Sequence, residues 1–137
     1  MSPIVRILLF ALPVLIAAMP GPARAQDAQL RMHGSNTIGQ RLAPALVRAW
    51  MASRGLQEAS SASPVAEELR AVFADGSRRV IVDVHSHGTG TGFADLLEGR
   101  ADLWMASRPV NAGELAQSRR VGELDAPAQE HVIALDG

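Results

Sequence analysis

Three short loops rich in glycine, serine and threonine constrain this chain most, because each is predicted to lie between a strand and a helix. They are Gly34-Ser35-Asn36-Thr37, Thr89-Gly90-Thr91-Gly92 and Ala106-Ser107-Arg108. In such loops, hydroxyl and backbone N–H groups converge at helix N-termini, where unpaired donors and the positive end of the helix dipole favour an anion. Arg108 adds a forked cationic donor that suits a tetrahedral oxyanion. The loops therefore predict an anion-binding domain.

Apolar segments around the loops predict the strands and helices. Strands are expected at residues 30–32, 80–84, 102–105 and 132–135, and helices at about 42–54, 93–97 and 112–121. Asp75-Gly76 predicts a β-hairpin turn between residues 65–73 and 80–84, although 65–73 could instead form a short helix. The serine-rich residues 56–64 are predicted to be a loop, and Trp50 and Trp104 are predicted to lie in the core.

The alternation of strand, loop and helix indicates an α/β fold. We expect a mostly parallel sheet flanked by helices, with the β-hairpin as an insertion. In sheets of this kind, ligands bind outside the carboxyl ends of the strands. All three polar loops fall at such ends, which supports the prediction that they form one binding site.

The N-terminus has the order of a secretory signal peptide. Arg6 precedes an apolar run from Ile7 to Met19, and Ala23-Arg24-Ala25 supplies a small-x-small cleavage triplet. The apolar run is too short to span a bilayer, and the alternative is a buried N-terminal helix. We therefore predict a signal peptide at residues 1–25 and one domain at 26–137, secreted to the periplasm with no membrane span after cleavage.

Composition excludes several classes of function. The formal net charge is −1, and it becomes more negative if Arg6 and Arg24 are removed with the leader. An acidic protein with two tryptophans and three phenylalanines is poorly suited to bind nucleic acid. The chain has no cysteine, so disulfides and thiolate metal sites are impossible.

The order and spacing of the motifs resemble the phosphate-binding periplasmic proteins of ABC transporters. The resemblance rests on Gly34 to Thr37, on Gly88 to Phe93 with Leu96, Leu97, Gly99, Ala101 and Asp102, and on Ala106 to Pro109 with Glu114. It implies a type II periplasmic-binding-protein-like lobe, which closes with a second lobe on a dehydrated phosphate and delivers it to a membrane permease. It implies no catalytic function, no metal and no cofactor.

The resemblance also implies a ligand set. The anion-binding residues would be Ser35, Asn36, Thr37, Thr89, Gly90, Thr91, Ser107 and Arg108. Thr89 takes the place of a ligand serine, and Gly90 and Thr91 would donate backbone N–H groups. Arg108 stands where some family members carry an aspartate that accepts a proton from phosphate. Without that acceptor, the pocket is expected to tolerate sulfate or another tetrahedral oxyanion.

The chain ends near the point where the family crosses into its second lobe. We therefore expect the domain to be incomplete at its C-terminus and to bind phosphate weakly or not at all unless a permease or a second-lobe polypeptide supplies the remaining donors. A secreted lobe of this kind could alternatively serve as an envelope-associated anion sensor without a role in transport.

Two other kinds of site remain open. His85 and His87 share a strand face and His33 lies near the end of a neighbouring strand, so a zinc site can be drawn, although no carboxylate stands at motif spacing. Ser86 lies between His85 and His87, which suggests a hydrolase, but the expected Gly-x-Ser-x-Gly motif is missing.

Overall fold

The computed structural model describes residues 27–135, so the predicted signal peptide at 1–25 lies outside the described residues. The strands are β1 (Ala28–Gly34), β2 (Gln57–Ala62), β3 (Glu68–Ala74), β4 (Arg79–His85) and β5 (Leu103–Met105). The α-helices are α1 (Ala43–Ser53), α2 (Thr89–Leu97) and α3 (Ala112–Ser118), and a π-helical turn at Ile38–Leu42 leads into α1.

The strands form one sheet in the order β2-β3-β4-β1-β5. Strand β1 pairs in parallel with both β4 and β5, whereas β3 pairs antiparallel with β2 and β4. This architecture confirms the predicted α/β class and the hairpin between β3 and β4, and it is consistent with a periplasmic-binding-protein-like lobe. The sheet is mixed, because only its β4-β1-β5 part is parallel.

Helices α1 and α2 cover opposite faces of the sheet. Side chains of α1 join the apolar cluster on one face, which contains Phe73, Val82 and Val84. On the other face, Phe93 of α2 contacts Trp104, with ring centroids 5.4 Å apart. The polar side chains of β1 and β4 lie on this second face, next to α2.

The entry into α1 follows from Pro44. Proline has no N–H and cannot complete an α-helical hydrogen bond to the carbonyl four residues earlier. The N–H of Ala43 instead donates to the carbonyl of Ile38, which is the spacing of a π-turn. Regular α-helix begins at Ala43 with Pro44 in the first turn, close to the predicted start near residue 42, and the chain leaves the helix at Gly55 with φ of 79°.

Three predictions are wrong. Residues 57–62 form the edge strand β2 rather than a loop, and all six positions are exposed, so the strand lacks an apolar face that would have revealed it. Residues 132–135 form no strand, and Val132 and Leu135 are exposed. Trp50 is 49% exposed, because the buried stripe of α1 runs through Val47 and Met51 instead.

Candidate functional site

The three polar loops meet at the carboxyl ends of β4, β1 and β5. The N–H of Gly88 donates to the carbonyl of Gly34 at 2.8 Å, which joins the second loop to the first. The N–H of Ser35 donates to the carbonyl of Met105 at 2.8 Å, which joins the first loop to β5. These three adjacent loops, residues 34–37, 88–92 and 106–108, are called the loop cluster below.

A side-chain contact completes the loop cluster. The hydroxyl oxygens of Thr89 and Ser107 lie 3.3 Å apart, and the N–H of Ser107 donates to the Thr89 hydroxyl at 3.4 Å. The carbonyl of Thr89 accepts a hydrogen bond from the indole N–H of Trp104 at 2.8 Å. The second and third loops, whose contacting residues are 18 positions apart along the chain, therefore touch through their side chains.

The predicted anion ligands differ in exposure. Ser35 is buried, Asn36 and Thr89 are half-buried, and the others are exposed: Thr37, Gly90, Thr91, Ser107 and Arg108. Gly90 and Thr91 lie in the first turn of α2, where backbone N–H groups have no partner within the helix. The loop cluster thus opens to solvent on the side where its donors lie.

Arg108 forms an ion pair with Glu114, six residues further along the chain. Its two terminal nitrogens donate to the carboxylate of Glu114 at 2.7 and 2.8 Å. The carboxylate also accepts from the N–H of Asn111, whose side chain caps α3. Hydrogen bonding from Arg108 lowers the pKa of Glu114, and Glu114 raises the pKa of Arg108. An anion that uses Arg108 would have to share this guanidinium with Glu114.

The Arg108–Glu114 pair predicts that the stability of the fold decreases at acid pH. Because the pKa of Glu114 is lower in the folded chain than in the unfolded one, the pair stabilises the fold above the usual glutamate pKa of about 4.3. This contribution is lost as pH falls below that value. We expect Glu114→Gln to lower the melting temperature at neutral pH and to weaken its dependence on pH in the acid range. Thermal melts across that range test this, and a variant with the wild-type pH dependence would contradict it.

Glu67 was not identified from the sequence. Its carboxylate accepts a hydrogen bond from the Asn36 amide at 2.8 Å, so a negative charge lies beside the first loop. Its backbone has φ of 64°, which is unusual for a residue other than glycine, and its carbonyl accepts from the N–H of Ser86 at 2.8 Å. No local motif indicates this contact, since it depends on how β3 pairs with β4.

Histidines form a row across the polar face of the sheet. His33 is buried and its Nδ1 lies 2.7 Å from the Asp95 carboxylate. The rings of His33 and His85 stack with centroids 4.1 Å apart and planes inclined by 17°. Burial, together with the neighbouring His33, lowers the pKa of His85, which favours its neutral form. Asp95 also accepts from Arg100, so it ties His33 to the end of α2.

Strand β3 places a carboxylate beside His85 and His87, which no sequence motif had indicated. Glu68 is paired with His85 in the sheet register, and its Oε1 lies 3.9 Å from His85 Nδ1 and 3.3 Å from His87 Nε2. One ligand atom from each of these three side chains lies within 4.8 Å of the other two. These residues could hold a metal ion. The Nδ1 of His33, in contrast, is occupied by Asp95.

Ser86 is not placed as a nucleophile would be. It is 2% exposed, and a Cβ added at Gly39 would lie 2.2 Å from its hydroxyl oxygen, so the π-turn covers it directly. A substrate has no open path to this hydroxyl.

Comparison with known proteins gives one partial similarity. The chain is similar to Protein SphX from Synechocystis sp.. The two are 38% identical over 63 residues, which is 46% of this chain and 19% of SphX. The matched part therefore spans about a fifth of the length of SphX. No protein-family model matches the chain, and no solved structure gives a significant match.

Within residues 27–135, no helix is both long enough and apolar enough to cross a membrane.

Proposed function

We propose that this protein binds phosphate or a related tetrahedral oxyanion in the periplasm, as the solute-binding component of an ABC-type phosphate uptake system. The observation that carries the proposal is the loop cluster: three loops with anion-binding composition are joined by hydrogen bonds at the ends of three adjacent parallel strands. The partial similarity to SphX supports, at a low level, the relationship with phosphate-binding proteins that the motifs indicate.

The proposed anion is held by direct hydrogen bonds. The N–H groups of Gly90 and Thr91 point out of the first turn of α2, and the hydroxyls of Thr89 and Ser107 lie beside them. Thr37 and Asn36 would donate from the first loop. Hydrogen bonds to a charged oxyanion are about twice as strong as those between neutral groups, so neutral donors suffice.

Exposure of the loop cluster favours dependence on a partner. Thr37, Gly90, Thr91 and Ser107 are all exposed, so an anion bound to them would keep water on one side. Water weakens every electrostatic contact with the anion. A second-lobe polypeptide or the permease would exclude this water and supply further donors. The second candidate function, an anion sensor that acts with an envelope partner, is favoured by the same exposure.

Phosphate titration followed by amide NMR tests the proposal. We expect saturable shifts of the Gly90, Thr91 and Ser107 signals, with weak affinity because the site is open. Arg108→Ala should reduce the affinity, whereas Arg119→Ala, an exposed arginine in the segment after α3, should not. The proposal is wrong if phosphate leaves the loop cluster unshifted while shifting signals near Arg78 and Arg79. If Arg108→Ala keeps full affinity, Arg108 is not a ligand.

Glu67, beside Asn36, would supply the proton acceptor that is missing at Arg108. A carboxylate repels a fully ionised anion but accepts a hydrogen bond from an oxyanion that carries a proton, as phosphate does and sulfate does not at neutral pH. Glu67 accepts from Asn36 and Gln40 and retains lone pairs for one further donor.

We expect Glu67→Gln to narrow the preference for phosphate over sulfate, chiefly by strengthening sulfate binding. Competition titrations with the two anions measure this preference. A control substitution, Glu58→Gln, removes an exposed carboxylate that pairs with Arg48 away from the loop cluster and should leave the ratio unchanged. An unchanged ratio in Glu67→Gln would exclude Glu67 from selectivity.

A further inference from the structure

Three metal-ligating side chains converge on the polar face of the sheet without taking part in the loop cluster's hydrogen bonds. Glu68 begins β3, His85 ends β4, and His87 follows two residues later. Sheet register places Glu68 directly opposite His85. His87 lies just beyond the end of β4, and its ring lies next to that of His85, with centroids 5.6 Å apart, so both rings lie close to the Glu68 carboxylate.

Two of the three distances between ligand atoms lie near those of a four-coordinate zinc ion. Zinc binds imidazole nitrogen and carboxylate oxygen at about 2.0–2.2 Å, which places two ligand atoms of a tetrahedral site about 3.4 Å apart. Glu68 Oε1 lies 3.3 Å from His87 Nε2 and 3.9 Å from His85 Nδ1, on either side of that value. Two histidines and one glutamate form a known zinc donor set, in which the fourth position is left for water or another ligand.

The surrounding structure holds these side chains in place. The His85 ring stacks on His33, and His33 is fixed in turn by its contact with the buried Asp95. The N–H of Ser86, between the two histidines, donates to the carbonyl of Glu67, next to Glu68. This hydrogen bond joins the two ligand-bearing segments. Ligands that are positioned before the ion arrives lose little conformational freedom on binding.

We propose that Glu68, His85 and His87 bind a divalent transition-metal ion such as zinc. Imidazole and carboxylate together select zinc over magnesium, which prefers oxygen ligands and retains its water. None of the three residues belongs to the proposed anion ligands, so this site and the anion site succeed or fail separately.

Zinc titration of the untagged full chain tests the proposal, with a chromogenic chelator as competitor. One zinc ion should bind per chain, and the melting temperature should rise with zinc but not with magnesium. NMR signals of the His85 and His87 rings should change on addition of zinc, while those of His131, the exposed histidine near the C-terminus, should not. This readout needs no variant and does not depend on phosphate.

Variants sharpen the test. Glu68→Gln keeps the side-chain shape, and His87 is partly exposed, so both Glu68→Gln and His87→Ala are expected to fold. Each should weaken zinc binding by at least about tenfold, since even the loss of an outer contact to a ligand costs about 10- to 100-fold. His131→Ala is the matched control and should bind zinc as the wild type does. Absence of stoichiometric binding, or equal loss in His131→Ala, would overturn the proposal and leave Glu68 in contact with the two histidines without a metal ion.

Discussion

Substituting Gly92 with alanine is expected to destabilise the fold by about 3 kcal/mol or more, near the upper end of overpacking effects. A Cβ at this position would lie 2.4 Å from the Cα of Gly34 and 2.6 Å from the carbonyl oxygen of His33. Both are backbone atoms of β1, so no side-chain rotation can relieve the clash. Helix α2 would have to move away from the central strand.

The same helix offers a matched control. Gly90 lies one half-turn earlier, and a Cβ there would meet no heavy atom within 4 Å. Gly90→Ala should therefore be neutral or stabilising by up to about 1 kcal/mol, because alanine favours the helix over the unfolded chain. Urea unfolding of both variants gives the comparison. Equal stability of Gly90→Ala and Gly92→Ala would mean that α2 is not in close backbone contact with β1.

Gly92→Ala should also affect the loop cluster. The N–H of Gly92 donates to the carbonyl of Gly88, and Gly88 itself binds the first loop through Gly34. Displacement of α2 would separate the first and second loops. We expect a variant that remains folded at low temperature to lose the phosphate response of Gly90 and Thr91.

Removal of the Asp95 carboxylate is the second large effect that we expect. Asp95→Ala should cost roughly 3 kcal/mol, because it removes a hydrogen bond to a charged carboxylate and leaves a buried imidazole nitrogen unsatisfied. Asp95 Oδ2 lies 2.7 Å from His33 Nδ1, and the two side chains are 12% and 7% exposed. Burial opposes ionisation of Asp95, but hydrogen bonds from His33 and Arg100 still lower its pKa. Without the carboxylate, His33 stays buried with its Nδ1 unpaired.

Asp95→Asn removes the charge of this side chain while keeping its shape, so it separates the two contributions to stability. The amide oxygen can still accept from His33, so this variant should lose less stability than Asp95→Ala. Asp27→Ala is the control for an exposed pair, because Asp27 contacts Arg79 at the surface and should contribute far less. Denaturant unfolding at neutral pH measures all three. If Asp95→Ala unfolds at the wild-type denaturant concentration, the buried pair does not stabilise this face of the sheet.

Elements with a short-range sequence motif, such as a turn or a helix cap, were predicted correctly. Asp75-Gly76 predicted the turn between β3 and β4. Within this turn, the side chain of Asp75 accepts hydrogen bonds from the N–H groups of Ser77 and Arg78. Asn111 and Glu114 form a capping box at the start of α3, where a helix was expected. The glycine-rich composition of the three loops predicted their positions in the chain without any knowledge of which strands are adjacent.

The errors have physical causes that single positions do not reveal. Strand β2 is held by backbone pairing to β3 and buries no side chain, so its serines gave no strand pattern. Residues 132–135 have the composition of a strand but no partner strand within the described sheet. Trp50 has helical spacing but lies beside the buried stripe of α1, which sequence spacing alone could not distinguish.

The candidate sites were predictable only in part. The loop cluster follows from motif order, because parallel strands bring their carboxyl ends to one edge of the sheet. Glu67 and Glu68 could not be found that way, since their positions depend on the antiparallel register of β3 with β4. A strand's register is set by its packing as a whole and leaves little trace in any one residue.

The central position of β1 also has a consequence for folding. Its residues pair with partners far along the chain, Ala28 with Val80 and Met32 with Leu103, whereas β2, β3 and β4 pair with their neighbours in sequence. Closing long loops is slow, because chain entropy is lost before the distant contacts form. We expect the β2-β3-β4 meander to form first and β1 to insert afterwards between β4 and β5. The loop cluster would then assemble in the last stage of folding.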